Sequence, residues 1–452
     1  MKGLRIVFFL LAIIASIFIL TIELSQHQRY SNLWVLPLIT SVACLIPFYR
    51  TNNYIVDSIS ILVISVIMIR NCLSPVFFVL SNFEAEIDGG SQNYYNLSIL
   101  LLSLETIFVF LIIFKWSKKL QKKSNYNKLS EKTYKSFEIT SSYIPYLLLM
   151  GFVSLYCVLV SPSVLDKYAP IWLVEENNMM EVYETNIYDT IFSIFFGVFR
   201  LMFTVLIIYL VYKHFNKHGF MSNVLLLFII FLPALITSEN YGFVLISVVV
   251  TYLFINLTQK NIGKTLKLSI AVLSVIVFFT VLTIKGYENE GDKSLVSEIS
   301  SFLQAYIPGL SNLTGVFRMS DIPKETTLFY DFYYMIPFRK TLFGIPGDFR
   351  SVIFFNNSNG VSSQIIPCIG QCYLYLGILG SFISAFPVWL SYWLSSKINI
   401  KLRTVDYIII YACVYCALTP FLYNYTILGS WLFMSLLPAF IVMYSPLITK
   451  KR

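Results

Sequence analysis

Long apolar runs fill both ends of the sequence, whereas between Lys285 and Gly370 no apolar run is long enough to span a bilayer. A membrane helix needs about 20 predominantly apolar residues. The chain has 57% hydrophobic and 13% charged residues and a mean hydropathy of +0.72, whereas a soluble domain has roughly 45–50% apolar and about 25% charged residues. The sequence therefore predicts an all-α polytopic membrane protein with one large outward-facing loop that bears short helices.

Hydropathy predicts about twelve transmembrane helices. They lie near residues 5–23, 33–49, 54–72, 95–115, 142–161, 188–211, 222–237, 241–258, 267–284, 371–394, 405–422 and 428–447. Residues 1–284 would hold helices 1–9, residues 285–370 the large loop, and residues 371–452 helices 10–12.

Lysine and arginine residues concentrate in alternate short segments, including the run from Lys115 to Lys135 and the C-terminal Lys450, Lys451 and Arg452. Cytoplasmic segments carry such an excess, and long loops are exempt from the rule. We therefore expect both termini in the cytoplasm and the large loop outside, with Arg70 at the outer end of the third span. The net charge of +9 is spread over many segments, which excludes nucleic-acid binding because that needs one basic face.

Two charged residues, Glu105 and Arg200, lie near the middle of apolar runs. Ionisable residues at that depth are functional or paired. Two interpretations remain open: Arg200 holds an anionic substrate, or it forms a structural pair, with Glu105 as its candidate partner. Cys368 and Cys372 lie at a predicted membrane boundary, where they could form a disulfide or pack as small hydrophobic residues.

The large loop contains an apolar periodicity and an aromatic cluster. Helical spacing is shown by Leu295, Ile299, Phe302, Leu303 and Tyr306. The run stops at Pro308-Gly309, which predicts a short helix lying on the membrane surface. The aromatic cluster from Phe329 to Tyr334 includes Tyr333. Such residues anchor proteins at headgroups, or stack on sugar rings and surround acyl chains, and both interpretations stay open.

The sequence lacks several motifs that mark nucleotide-binding and hydrolytic sites. It has no Asp-x-Asp, no Gly-rich phosphate loop and no nucleophile elbow, and the large loop has no histidine. The carboxylates in Glu84-Ala-Glu-Ile-Asp88 could bind a divalent cation, but spaced carboxylates in loops are more often solvated. We expect no metal and no cofactor, and a substrate that is not a nucleotide.

Segments of the large loop resemble the Wzy-type O-antigen and oligosaccharide repeat-unit polymerases of bacterial inner membranes, as does the architecture of the whole chain. They are Phe332-Tyr-Tyr-Met-Ile-Pro337, Asn356-Asn-Ser-Asn-Gly360, and Ser362-Ser-Gln-Ile-Ile-Pro-Cys-Ile-Gly-Gln371 leading into Tyr373-Leu-Tyr-Leu-Gly377. The turn around Glu239 is similar to a Gly-Gly-x-Arg turn of that family but lacks the arginine. Arg350 and Gly360 are separated by nine residues, where some relatives have ten.

The resemblance implies an inner-membrane glycosyltransferase. It would transfer a growing glycan from undecaprenyl pyrophosphate to the non-reducing end of a new lipid-linked repeat unit, without a metal, beside a chain-length regulator and a flippase in the same membrane. Guanidinium groups would bind the pyrophosphate, and a carboxylate would accept the proton of the attacking hydroxyl. The predicted substrate-binding residues are Arg200, Arg318, Arg339, Lys340, Arg350, Tyr333 and Gln371. The candidate catalytic carboxylates are Asp331, Asp348 and Glu239.

Two other functions remain alternatives. An O-antigen ligase is disfavoured because that family places a histidine in its large outward loop. A lipid-linked glycan flippase or other transporter is disfavoured because it needs no large outward domain, and because transporters usually show repeated halves, which this span pattern lacks.

Overall fold

The computed structural model describes residues 2–26, 32–49, 51, 54–83, 87, 91–126, 143–162, 164, 169–170, 187–214, 226, 229, 236–237, 295–319, 322–338, 350–361, 364–398 and 404–449. The elements in these residues are helical, apart from the antiparallel pairing of two-residue strands, β1 (Ala169–Pro170) with β2 (Ile236–Thr237).

Within the described part of the chain, six helical segments are long and apolar enough to cross a membrane, as expected for a multi-pass membrane protein. They are Gly3–Leu24, Val56–Leu80, Gln92–Gln121, Tyr143–Val160, Ile187–Val211 and Tyr425–Met443. The first seven helices are α1 (Lys2–Gln26), α2 (Val35–Leu45), α3 (Tyr54–Met68), α4 (Ser74–Leu80), α5 (Gln92–Tyr126), α6 (Tyr143–Val160) and α7 (Ile187–His214). Helix α1 packs against α2, and α6 against α7.

A π-helical turn, Ile69–Leu73, joins α3 to α4 within one span. Pro75 lies in the first turn of α4; proline has no N–H and its ring collides with the carbonyl four residues earlier, here that of Asn71. A π turn is a common way to absorb such an interruption. Because the span continues to Leu80, Arg70 lies inside it and is buried. The expectation that Arg70 marks the outer end of the span is therefore wrong.

Residues 295–316 form a helical hairpin of α8 (Leu295–Tyr306) and α9 (Leu310–Val316). Helix α8 packs against α4, and α9 packs against α5. Leu303 and Ile307 belong to the same hydrophobic core as Ile67 of α3, and every residue of α9 is buried. The predicted position on the membrane surface is therefore wrong, because Leu303 of α8 and Ile307 just after it are buried against membrane helices.

The hairpin leads back to the end of α5 that carries Tyr94. The ring of Phe317, just after α9, lies 5.6 Å from the ring of Tyr94 and 5.0 Å from that of Tyr373. Lys115 follows Tyr94 by 21 residues on the same helix, which is about 32 Å at 1.5 Å per residue. The residues after the hairpin and the lysines of α5 therefore lie at opposite ends of that helix.

Two short helices follow the hairpin, α10 (Lys324–Tyr334) and α11 (Ser351–Asn359). The chain then forms a broken membrane helix of α12 (Cys368–Leu376), a 3₁₀ turn (Gly377–Leu379), α13 (Gly380–Ile383) and α14 (Phe386–Ser395), bent by 41°. Gly377 ends α12 with a φ of 60°, which favours glycine. Gly380 packs on the α12 backbone, since a Cβ there would lie 2.5 Å from the carbonyl carbon of Cys372.

The last helices are α15 (Thr404–Leu422) and α16 (Tyr425–Trp431), which continues through a π-helical turn (Leu432–Leu436) into α17 (Leu437–Thr449). Helix α15 packs against α14 and α3. The rings of Tyr415 and Trp431 stack at 3.9 Å, which fixes α15 against the start of the final span.

The six segments coincide with the expected spans near 5–23, 54–72, 95–115, 142–161, 188–211 and 428–447, each as a helix long and apolar enough to cross a membrane. The expected span at 371–394 is the bent pair, which would make a seventh if it is one crossing. Those at 33–49 and 405–422 correspond to shorter apolar helices, Val35–Leu45 and Tyr407–Leu422. Those at 222–237, 241–258 and 267–284 fall almost wholly outside the described residues. Twelve spans are therefore not established.

Candidate functional site

Asp331 lies on the inward face of α10 and is only 3% exposed. Thr327, four residues earlier and so on the same helical face, is also buried. The opposite face carries Leu328, Phe329 and Phe332, which are 50%, 50% and 56% exposed. The helix therefore directs one carboxylate into the protein and a group of large apolar side chains away from it.

Three donors hold the Asp331 carboxylate. The backbone N–H of Ser351 donates to Oδ1 at 3.0 Å, and Gln371 Nε2 and the Tyr375 hydroxyl donate to Oδ2 at 2.8 and 2.6 Å. Hydrogen bonds to a charged acceptor are the strong ones. We call Asp331, Ser351, Gln371, Tyr375 and Thr426 the Asp331 cluster; it joins α10, the start of α11, α12 and α16.

Gln371 is the centre of this cluster. Its Nε2 also donates to Thr426 Oγ1 at 2.7 Å, and its Oε1 accepts from the backbone N–H of Tyr425 at 2.9 Å. The amide nitrogen of Gln371 faces hydrogen-bond acceptors and its amide oxygen faces a donor, and these contacts fix the orientation of the side chain. Asn424 caps α16 by accepting from Ile427 N at 3.0 Å. The start of the last span is therefore tied to α12 and α10.

Arg350 directly precedes Ser351, whose amide binds Asp331. The guanidinium carbon of Arg350 lies 4.0 Å from the ring centre of Tyr334, within the range of a cation–π contact. Arg350 is only partly buried. This arrangement holds a planar, permanently charged fork on the Tyr334 ring, one residue before the amide that binds Asp331, and there it could bind a phosphate group.

The aromatic rings of α10 form a second part of the site. The ring of Tyr333 lies 4.1 Å from that of Phe329 and 6.3 Å from that of Phe332. Tyr333 is half-buried, whereas the two phenylalanines are exposed. The choice between a headgroup anchor and a surface for sugar or acyl chains stays a prediction.

Glu105 pairs with Arg70, whose Nη2 lies 2.6 Å from Glu105 Oε2, and both side chains are fully buried. The predicted pair of Arg200 with Glu105 is therefore wrong. The error follows from the placement of Arg70 at the end of its span, which left Arg200 as the available cation. Arg200 lies on α7 and is half-buried, and its assignment to substrate stays a prediction.

Arg318 lies in the turn after α9 and is half-buried. Asp348, Arg339, Lys340 and Glu239 lie outside the described residues. The structure thus brings together Asp331, Gln371, Arg350 and Tyr333 of the sequence-predicted residues, around α10 and the start of α11. All seven cysteines are free and buried, so Cys368 and Cys372 pack as thiols.

The sequence analysis missed Tyr375, Ser351 and Thr426. Tyr375 follows Gln371 by four residues on α12, and this spacing puts the two side chains on one helical face, so it could have been found from Gln371. Ser351 donates its backbone N–H to Asp331, and a backbone contact cannot be predicted from a pattern of side chains. Thr426 comes from a span 55 residues after Gln371.

Comparison with known proteins gives no assignment: no family model, no curated protein and no solved structure matches this chain.

Proposed function

We propose that this chain is a bacterial inner-membrane polymerase of lipid-linked oligosaccharide repeat units, acting on the outer side of that membrane. The observation that carries the proposal is the Asp331 cluster with Arg350 beside it. The Asp331 cluster includes Gln371 of α12, and Tyr373 of the same helix packs on Phe317, which lies at the Tyr94 end of α5. The cluster therefore lies away from the lysine-rich end of α5. Because lysine-rich segments stay in the cytoplasm, this end of the protein would face outward.

The chemistry needs an anion site and a proton acceptor. The hydroxyl oxygen of the new repeat unit attacks the anomeric carbon of the glycan carried on undecaprenyl pyrophosphate. The bond from that carbon to the pyrophosphate oxygen breaks, and undecaprenyl pyrophosphate leaves with the electron pair. Arg350 is the described residue best placed to stabilise that charge, because a guanidinium binds phosphate oxygens bidentately. Arg200, Arg318, Arg339 and Lys340 remain further candidates.

Asp331 fits a positioning role better than that of the base. A carboxylate has about four lone-pair positions, and three of them already accept hydrogen bonds. The side chain is also buried, whereas a base must come within hydrogen-bond reach of the attacking hydroxyl. We therefore assign Asp331 to ordering the start of α11, and leave proton acceptance to Asp348 or Glu239.

The exposed rings of α10 suit a substrate that is part sugar and part lipid. Phe329, Phe332 and Leu328 offer apolar surface on the same short helix as Tyr334, the residue that contacts Arg350. Aromatic faces pack on apolar chains and on the hydrophobic faces of sugar rings. The substrate class that matches both features is a glycan linked through pyrophosphate to a polyprenyl chain, supplied by a flippase and extended under a chain-length regulator.

A deletion strain tests this function. Loss of a polymerase leaves lipid A core capped by a single repeat unit, and this is the expected result, restored to long polymer by the wild-type gene. Loss of a ligase would instead leave polymer on the carrier lipid, and loss of a flippase would leave no repeat unit outside. Either of these last two phenotypes contradicts the proposal.

One observation favours a second candidate, a lipid-linked glycan flippase or other transporter. The hairpin α8–α9 and the broken helix from Cys368 to Ser395 are discontinuous elements within the membrane region, and the turn of the hairpin lies close to Arg70 of the Arg70–Glu105 pair. Transporters build midplane sites from such elements. The flippase phenotype in the deletion strain would select this candidate.

A further inference from the structure

A fully buried ion pair lies half-way along the membrane helices. Glu105 follows Tyr94 by 11 residues and precedes Lys115 by ten, about 16 Å and 15 Å along α5. Arg70 Nη2 donates to Glu105 Oε2 at 2.6 Å, and Arg70 Nε donates to Asn71 Oδ1 at 3.2 Å. The pair therefore joins the π-helical turn after α3 to the centre of α5.

The turn of the hairpin meets this pair. A Cβ built at Gly309 would lie 3.3 Å from Arg70 Cγ and 3.9 Å from the Arg70 carbonyl oxygen. The guanidinium carbon of Arg70 lies 4.8 Å from the ring centre of Phe421 of α15. Glycine at position 309 lets the hairpin turn approach the Arg70 stem closely. The turn between α8 and α9 therefore lies at the depth of Arg70.

Stability alone does not explain a charge pair at this depth. Removing two charges from water is costly, and good geometry with further hydrogen bonds is needed to offset the cost. Arg70 Nη1 and Glu105 Oε1 are buried and have no hydrogen-bond partner in the described part of the chain. An apolar pair of similar size would pack there without that cost. The pair is therefore better explained by a requirement for one defined arrangement than by net stabilisation.

The hairpin contacts the helices that bear the Asp331 cluster, through α9. Helix α9 packs against α12, which bears Gln371 and Tyr375, and against α11, which Arg350 precedes. Asn359 Nδ2 of α11 donates to the Gly315 carbonyl of α9 at 3.2 Å. Asn312 of α9 donates to Gln364, just before α12, at 3.0 Å. A change in the depth of α9 would displace both elements.

We propose that Arg70 and Glu105 are positioning residues: their ion pair latches the α8–α9 hairpin at one depth, and through α9 sets the placement of Gln371 and Arg350. The catalytic part of this inference rests on the proposed polymerase function, whereas the latch itself does not. Removing one partner alone would leave an uncompensated buried charge and strongly destabilise the protein. The informative variant replaces both residues by apolar ones, Arg70→Met with Glu105→Leu.

The latch is tested with two nitroxide labels in the full-length protein, at Tyr94→Cys and Phe317→Cys. The parent rings lie 5.6 Å apart, so the two labels should show strong dipolar broadening in the EPR spectrum. The native cysteines are buried and should not take the label. In Arg70→Met/Glu105→Leu we expect wild-type protein level and clear loss of the broadening.

A matched control is the buried pair Ser60 and Tyr392, hydrogen-bonded at 2.6 Å between α3 and α14. Ser60→Ala with Tyr392→Phe removes a buried polar contact of the membrane region away from the hairpin and should keep the broadening. Wild-type broadening in Arg70→Met/Glu105→Leu would overturn the latch. Equal loss in the control pair would overturn it too, because the effect would then not be specific to Arg70 and Glu105.

The effect of the latch on activity is tested by measuring the rate at which the same proteins form polymer in liposomes. We expect at least a tenfold lower rate for Arg70→Met/Glu105→Leu, and the wild-type rate for the Ser60 and Tyr392 control. Lost broadening together with a wild-type rate would overturn the positioning role. Absence of polymer from the unsubstituted protein would count against the polymerase function, and the EPR comparison would still decide whether the latch exists.

Discussion

Gln371 donates a hydrogen bond to Asp331 at 2.8 Å across 40 residues of sequence, and the same nitrogen donates to Thr426 at 2.7 Å. One amide thereby joins α10 to two membrane helices. Because the amide of Ser351 binds the same carboxylate, the position of Arg350 depends on this contact. The site is therefore built as one unit with the ends of the membrane helices.

Tyr375→Phe should lower the free energy of unfolding by about 1.5–3 kcal/mol, the usual contribution of a hydrogen bond to a charged group. Thermal unfolding of the purified protein in detergent measures this change. Tyr373→Phe is the control, because the Tyr373 ring packs on Phe317 while no hydrogen bond of its hydroxyl is seen within the described residues. We expect its effect to stay within about 0.5 kcal/mol. Equal effects of the two substitutions would show that the contact with Asp331 contributes nothing measurable.

Asp331→Asn separates positioning from proton acceptance. Asparagine keeps an oxygen that can accept from the Ser351 N–H, but its NH₂ group faces Gln371 Nε2, which is also a donor. The Gln371 oxygen cannot turn to accept instead, because it is held by the backbone N–H of Tyr425. We expect a less stable protein that polymerises up to about tenfold more slowly, whereas loss of a general base costs about 10²–10⁴-fold. Rates of polymer formation per folded protein measure the difference. A fall of a thousandfold with normal stability would make Asp331 the base.

Hydropathy located the six long membrane helices because a run of apolar side chains is visible in any window of suitable length. It missed the hairpin, since Ser300, Gln304 and Ser311 lower the mean hydropathy of the segment. In the structure these polar groups satisfy one another: Gln304 Nε2 donates to Ser300 Oγ at 3.0 Å, and Ser311 donates to Gln304. The non-helical turn between α8 and α9 is tolerated at membrane depth only where protein buries it or where it lines a water-filled cavity, and composition does not reveal such a neighbour.

Asp331, Arg350, Gln371 and Tyr333 could be named from the sequence, because they lie in the aromatic cluster and the segments around it. Their mutual placement could not be predicted. The Asp331 cluster joins residues from four helices, and Thr426 lies 55 residues from Gln371. Likewise Arg70 and Glu105 are 35 residues apart, and a π-helical turn decides which way Arg70 points.

Gly380→Ala should disrupt the broken helix. A Cβ at this position would lie 2.5–2.6 Å from backbone atoms of Cys372 and Tyr373, which cannot move as a flexible side chain can. Overpacking of this kind costs about 1–3 kcal/mol, and we expect a lower melting temperature together with less polymer. Gly3→Ala is the control, since nothing lies within 4 Å of a Cβ there. A normal melting temperature for Gly380→Ala would mean that α12 and α13 do not approach this closely.

Cysteine labelling tests the predicted sidedness. Glu325 at the start of α10 and Lys119 near the end of α5 are both exposed, and the native cysteines are buried. In spheroplasts, a membrane-impermeant maleimide should label Glu325→Cys directly, and Lys119→Cys only after permeabilisation. Labelling of both cysteines before permeabilisation would contradict their predicted placement on opposite sides of the membrane. Labelling of Lys119→Cys alone would show the opposite orientation, and either result would contradict the proposed function.

The most direct test of the polymerase proposal is reconstitution of the purified protein in liposomes with lipid-linked repeat units. Wild-type protein should form polymer and release one undecaprenyl pyrophosphate for each linkage made. Arg350→Lys keeps the charge but loses the guanidinium fork, so its rate should fall nearly as far as that of Arg350→Ala while both proteins remain folded. Failure of the folded wild-type protein to form polymer, or a wild-type rate for Arg350→Lys, would contradict the proposal.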